Sequence, residues 1–280
     1  MKDPLTLSDV WRKSGLLGRL AGDTHSSLMK TSAAAQFLAR PLLAALMLVV
    51  PTMAKEKDSA KKGWGGGADT AAELKANWYY NWGPNGSSKD GLEFVPMVKG
   101  RQHVNPETLG KIKSSGATVL LGFNEPERKD QGNLSVEDAL ALWPQLEATG
   151  LRLGSPAPSS DANGIAWLEK FMEGTKKKKL RVDFIAIHWY RSANSGEFEA
   201  WLDSLAKKWR RPIWVTEFNA YYAGGDRDKF AEQAFKILDR HKKVERYAYF
   251  TCPTGEPGSL WKSGDGGKEL SDLGKAYQEK

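Results

Sequence analysis

The sequence predicts an α/β fold, a single (β/α)8 barrel with one short or irregular strand. Three observations carry that reading. From residue 75 onward, short apolar or aromatic runs alternate with segments of helical period, which is how parallel βα units are written. Several of the runs are nearly all apolar, as strands buried on both faces are. No G-x-G-x-x-G follows the first predicted strand and no G-x-x-x-x-G-K-[ST] occurs, so an open nucleotide-binding sheet loses its best support.

The predicted strands, in order, are residues 76–81, 92–97, 118–123, 151–155, 184–189, 213–218 and 246–250. Between them lie amphipathic segments with recognisable starts. Asn105 places a capping side chain ahead of Pro106 at the first helical position. Ser135 precedes Asp138 in a capping-box spacing, ahead of Leu140, Trp143 and Leu146. Phe198, Trp201, Leu202, Leu205 and Trp209 recur at three- and four-residue steps, as do Phe230, Ala231, Ala234, Phe235 and Leu238, so both stripes face a core. Seven strands are legible where a closed barrel needs eight. The missing one is expected within 72–117 or near Leu260.

Composition removes several classes. The chain has 280 residues, 40% of them hydrophobic and 27% charged, values that exclude a disordered or collagen-like polymer. One cysteine, Cys252, excludes an internal disulfide and a thiolate zinc site; it is expected to be a buried, inert thiol. Four histidines occur, none in an H-E-x-x-H or H-x-H pair, so neither a metal nor another cofactor is called for. The Ser-His-Asp hydrolases are disfavoured by the lack of G-x-S-x-G. Net charge is +7, and the densest basic cluster, Lys176 to Lys179, falls where a helix should end. Cations are favourable there, so no nucleic-acid partner is expected. The chain is expected to act as a monomer.

Residues 1–54 read as a leader. Lys30 and Arg40 precede an apolar stretch at 42–50, and Ala54 follows as a small residue before a cut, the order of a secretory signal peptide. Met29 is the better start. The stretch is short for a membrane span, so the expected product is exported, extracellular or periplasmic, with no stable span after processing. Residues 55–72 read as a charged, glycine-rich linker, with the catalytic domain at 73–280.

Catalytic groups of a parallel barrel come from the C-terminal ends of strands. Here those ends are W-Y-Y-N-W (78–82), G-F-N-E-P-E (122–127), H-W-Y (188–190) and T-E-F-N (216–219). An acid straight after an apolar strand costs solvation unless the site is open and polar, so Glu125 and Glu217 ask for a functional explanation. Two carboxylates among aromatics suit glycoside hydrolysis: one gives a proton to the leaving oxygen, the other attacks or activates water. Asn124, His188 and Tyr190 supply polar contacts. Trp78, Tyr80 and Trp82 share a strand face as sugar platforms or as core packing. Glu127, beyond Pro126, reads as a loop charge, with an acid that supports the catalytic pair from behind as the alternative.

These residues resemble a known family. N-E-P at 124–126, H-W-Y at 188–190 and T-E-F at 216–218 follow the order of the large clan of retaining (β/α)8 glycosidases. With W-Y-Y-N-W (78–82), F-V-P-M (94–97), L-G-F-N-E-P-E (121–127), G-S-P-A (154–157), V-T-E-F (215–218), Cys252 and Trp261, the set is similar to glycoside hydrolase family 128. The resemblance implies an endo-β-1,3-glucanase acting on β-glucan, with Glu125 as acid/base, Glu217 as nucleophile, Asn124 on the sugar 2-OH and Trp261 under the sugar at the cleavage point. It also implies that the two glutamates stand on strands four and seven, which puts the unread strand before Thr118. A glucan-binding barrel without activity, and a retaining glycosidase on another polysaccharide, are the alternatives.

Overall fold

The computed structural model describes residues 60–264 and 267–280; the leader and most of the predicted linker lie outside them. Eight parallel strands follow one another: β1 (Lys62–Gly65), β2 (Trp78–Tyr80), β3 (Glu93–Phe94), β4 (Val119–Leu120), β5 (Arg152–Leu153), β6 (Ile185–Trp189), β7 (Ile213–Phe218) and β8 (Val244–Tyr249). Six of them form a sheet in the order β3-β2-β1-β8-β7-β6, and β4 pairs with β5. Parallel bridges from Met97 to Leu121 and from Gly154 to Phe184 join the two sheets at both edges. The strands therefore close into a ring, the predicted barrel.

All seven predicted strands are present, and the eighth is β1. That strand lies inside the stretch expected to be a linker, so folded structure begins near residue 61 rather than 73. It was also expected later in the chain, within 72–117 or near Leu260. The physical reason is its composition. K-G-W-G looks like a loop, yet a Cβ on Gly63 would fall 2.1 Å from the Trp78 indole, so glycine is what lets that ring fill the barrel. The Lys62 side chain is buried and donates to the carbonyls of Tyr277 (3.1 Å) and Gln278 (2.9 Å), satisfying the end of the last helix.

The helices are α1 (Ala68–Glu73), α2 (Pro106–Ser114), α3 (Val136–Glu147), α4 (Ala162–Lys178), α5 (Ser195–Trp209), α6 (Arg227–Arg240) and α7 (Asp272–Gln278). Asn105 and Ser135 cap α2 and α3 as expected, accepting from Thr108 N (2.9 Å) and Asp138 N (3.0 Å). The helices bury their apolar stripes against the outside of the ring in one large cluster that includes Phe198, Leu202, Phe230 and Phe235. A second cluster, with Trp78, Val119, Phe184, Trp214 and Ala248, fills the inside.

Charge closes the N-terminal end of the barrel. Arg246 lies over the rings of Trp78 (5.6 Å) and Trp214 (4.5 Å) and pairs with Glu93 at 2.6 Å. Arg152 makes a two-bond contact with Glu245 at 2.9 and 2.6 Å. With that end plugged, the C-terminal strand ends are where a ligand can enter.

Candidate active site

β4 runs on past Leu120 toward the predicted acid. Asn124 bridges to Ala157, and Glu125 N donates to Ala157 O at 2.7 Å. Glu125 has φ +37° directly before Pro126. A left-handed backbone is costly for a residue with a Cβ, and strain of this kind collects at functional sites. The side chain is buried, 3% exposed. Its Oε1 lies 3.1 Å from His188 Nδ1, while the buried Oε2 has no hydrogen-bond partner and only the Arg128 guanidinium nearby, Nε at 3.4 Å.

Glu217, near the end of β7, is 1% exposed and is held by donors on both oxygens. Trp82 Nε1 gives to Oε1 at 2.8 Å and Tyr190 OH to Oε2 at 2.7 Å, while Tyr80 OH, which gives its shorter bond to Thr216 O at 2.9 Å, lies 3.3 Å from Oε1. Burial first, and then the adjacent Glu217 charge, push the phenols of Tyr80 and Tyr190 well above the ordinary tyrosine range, so both stay protonated as donors.

His188 stands between the two acids, with Nε2 3.4 Å from Glu217 Oε1. Burial alone would lower its pKa, but Glu217 and Glu125 together outweigh that and raise it. Asn124 is 1% exposed, with Nδ2 on Gln131 Oε1 at 3.3 Å and a buried Oδ1 that has no partner, an acceptor free for a hydroxyl.

The structure thus gathers Asn124, Glu125, His188, Tyr190, Glu217, Tyr80 and Trp82 at one end of the barrel. Three of the rings expected against the sugar, Trp78, Tyr80 and Trp261, are buried instead. Trp78 is fully buried inside the barrel, donating to Lys61 O at 3.0 Å, and is packing. Tyr80 is fully buried too, so it offers Glu217 its hydroxyl and a sugar nothing. Trp261 is 8% exposed, edge-on to Trp64 with ring centroids 5.7 Å apart, and belongs to the outer core. Glu127 is no loop charge: Oε1 accepts from Ser159 N at 2.8 Å, and Oε2 is buried without a partner.

Three neighbours escaped the sequence reading. Phe250, past the end of β8, packs its ring against Trp82 (6.2 Å) and Tyr190 (5.9 Å). Arg128 comes from the loop after β4. Tyr222, in the loop after β7, touches Tyr190 at 6.0 Å and at 54% is the one exposed large apolar side chain among the described residues. Only the Tyr221-Tyr222 pair, aromatic in a loop otherwise made of small and polar residues, carried a signal. Among the described residues no group of His, Cys, Asp or Glu is arranged to hold a metal ion. Cys252 is buried at the end of β8, and burial pushes its thiol up to about 12.

The profile of the glycosyl hydrolase catalytic core matches residues 62–277, the whole barrel from β1 to α7. An endo-β-1,3-glucanase of family 128, subgroup I, from Amycolatopsis mediterranei, solved with laminaritriose, is 34% identical with a TM-score of 0.68, over 78% of this chain and 98% of that one. This chain belongs to glycoside hydrolase family 128. Other family 128 structures agree. The subgroup II endo-β-1,3-glucanase of Sorangium cellulosum is 29% identical (TM-score 0.64, 78% and 97% covered). The subgroup III curdlan-specific exo-β-1,3-glucanase of Blastomyces gilchristii is 30% identical (TM-score 0.65, 79% and 98% covered). A search of curated proteins gave no match. With β1 counted, the glutamates of this family 128 chain follow β4 and lie on β7, the strands the resemblance implied.

Proposed function

We propose that the chain is an exported endo-β-1,3-glucanase that works by a retaining double displacement. The observation that carries the mechanism is the unequal treatment of two buried glutamates. Glu217 receives a close donor on each oxygen, from Trp82 and Tyr190, the setting of an anion held in place for attack on the anomeric carbon. Glu125 has one oxygen against His188 and the other without a hydrogen-bond partner, the arrangement of an acid whose second oxygen meets the leaving group. In the first step Glu217 forms the glycosyl bond as Glu125 protonates the departing oxygen. In the second, Glu125 takes a proton from water, which attacks the same carbon and releases Glu217.

β-1,3-Glucan as the substrate is supported by the Amycolatopsis relative, several solved forms of which hold laminarioligosaccharides. They include variants with a glutamate replaced at one of two positions. Endo action is favoured by the subgroup I endo enzyme of Amycolatopsis, at 33–34% identity, although the subgroup II endo enzyme at 29% and the subgroup III exo enzyme at 30% do not separate the two modes. Product analysis on laminarin tests both points. Early release of mixed oligosaccharides is expected; glucose alone from the outset would mean exo action, and cellulose cleaved equally well would sink the substrate. Tyr222 adds an exposed ring beside Tyr190, suited to the apolar face of a sugar. Tyr222→Ala should raise KM about two- to tenfold with kcat nearly unchanged, and an unchanged KM would remove it from the cleft. Export rests on the 42–54 pattern. Mass spectrometry of the secreted protein should find a start near Lys55, and an intact Met1 or Met29 would refute it.

A further inference from the structure

In a barrel of this kind the helices run back against the strands, so their C-termini collect at the face opposite the active site. Three successive helices bring cations there. α4 ends in exposed Lys176, Lys177 and Lys178, capped by Lys179. α5 ends in Lys207 and Lys208, capped by Arg210, and exposed Lys242 and Lys243 follow α6. The arc is continuous. Arg211 Nε donates to Val182 O at 2.6 Å, tying the turn after α4 to the turn after α5. Arg210, Arg211, Lys242 and Lys243 then line, with Lys61, a cleft of about 430 Å³.

Most acids on this face, exposed Glu173 apart, are already engaged. Asp183 binds Arg181, Glu169 binds Lys208, Asp239 accepts from Tyr247 OH at 2.7 Å, and Glu245 holds Arg152. Lys176 to Lys179, Lys207, Arg210, Lys242 and Lys243 make no ion pair among the described residues. The helix dipole accounts for a cation or two in a last turn. It does not account for four in a row. Nor does it account for Lys179 (φ +57°) and Arg210 (φ +52°) at left-handed positions where glycine is the unstrained choice.

We propose that this face binds an anionic polysaccharide, a chain bearing carboxylate or sulfate on successive sugars, while the opposite mouth stays open to its own substrate. The ligand class follows from what the face lacks. The exposed large apolar side chain among the described residues is Tyr222, which sits beside Tyr190 in the active site. The arc's own ring, Trp209 at the end of α5, is half-buried beneath Lys208, whose Nζ lies 5.2 Å from the ring centre. Among the described residues the arc therefore presents no exposed ring on which single-stranded bases would stack and no apolar wedge for a bilayer. A polymer of repeated charge meets an arc of repeated cations.

The test uses the full chain and the variant Lys179→Gly, Arg210→Gly, Lys242→Gln, Lys243→Gln. Its two glycines relieve backbone strain, so its melting temperature should hold or rise. Binding is measured to polygalacturonate and dextran sulfate, with uncharged dextran, duplex DNA and phosphatidylglycerol vesicles alongside. The wild type should bind both acidic polysaccharides at about 50 mM salt and weaken steeply toward about 200 mM. The variant should bind them about tenfold more weakly or worse, yet hydrolyse laminarihexaose as the wild type does. Wild-type protein that binds neither polysaccharide, that prefers DNA or vesicles at matched charge, or whose variant binds equally well would overturn the proposal. The binding readouts do not depend on glucan cleavage, so failure of the proposed activity would be seen separately.

Discussion

At the scale of single residues, the proposed division of labour between Glu125 and Glu217 rests on their neighbours. Glu217→Gln should lower kcat more than about a thousandfold on every substrate while still binding laminarioligosaccharide. Glu125→Ala should spare an aryl glucoside whose leaving group needs no proton, and azide should restore turnover to it. Equal loss on both substrates for both variants would contradict these roles. His188 gives a pH signature. Its pKa in the fold lies above the ordinary 6.5, raised by Glu217 and Glu125 against the opposing effect of burial. The charged ring therefore stabilises the fold fully below that ordinary value, and the contribution fades as pH rises through the higher folded value. His188→Gln should cost more in melting temperature at about pH 5 than at about pH 9; the same loss at both would mean the ring is neutral throughout.

At the scale of elements, the sequence was most transparent where burial is two-sided. β6 and β7 are apolar along almost their whole length, so the histidine and the acid that interrupt them, His188 and Glu217, stood out as candidates, as Glu125 did after β4. β1 was opaque for the opposite reason: two of its four residues are glycines that make room for aromatic rings, and its lysine is buried on a helix end. Trp78 was misplaced because a ring that plugs a barrel and a ring that faces a sugar look alike in sequence. Phe250, Arg128 and Tyr222 come from loops whose convergence depends on ring closure, which no local pattern encodes. The fit between β1 and β2 is testable. Gly63→Ala forces a methyl into the Trp78 indole and should cost about 1–3 kcal/mol. Trp78→Phe should recover part of that loss in the double variant, as contacting residues couple. A Gly63→Ala protein as stable as the wild type would mean the indole has room to move.

At the scale of the whole molecule, the ring sorts its chemistry by face. One end is shut by Arg246, Arg152 and their carboxylate partners, under an arc of lysines and arginines. The other collects two glutamates, a bridging histidine and a wall of rings. The central claim is that the glutamate pair works by double displacement, which requires carboxyl groups about 5–5.5 Å apart, too close for water to enter between them. The anomeric configuration of the first product tests it most directly. Proton NMR during the first minutes of laminarihexaose hydrolysis should show the β anomer at the new reducing end, decaying to the mutarotation mixture. An initial α anomer would mean a single inverting displacement and would overturn the roles assigned to Glu125 and Glu217.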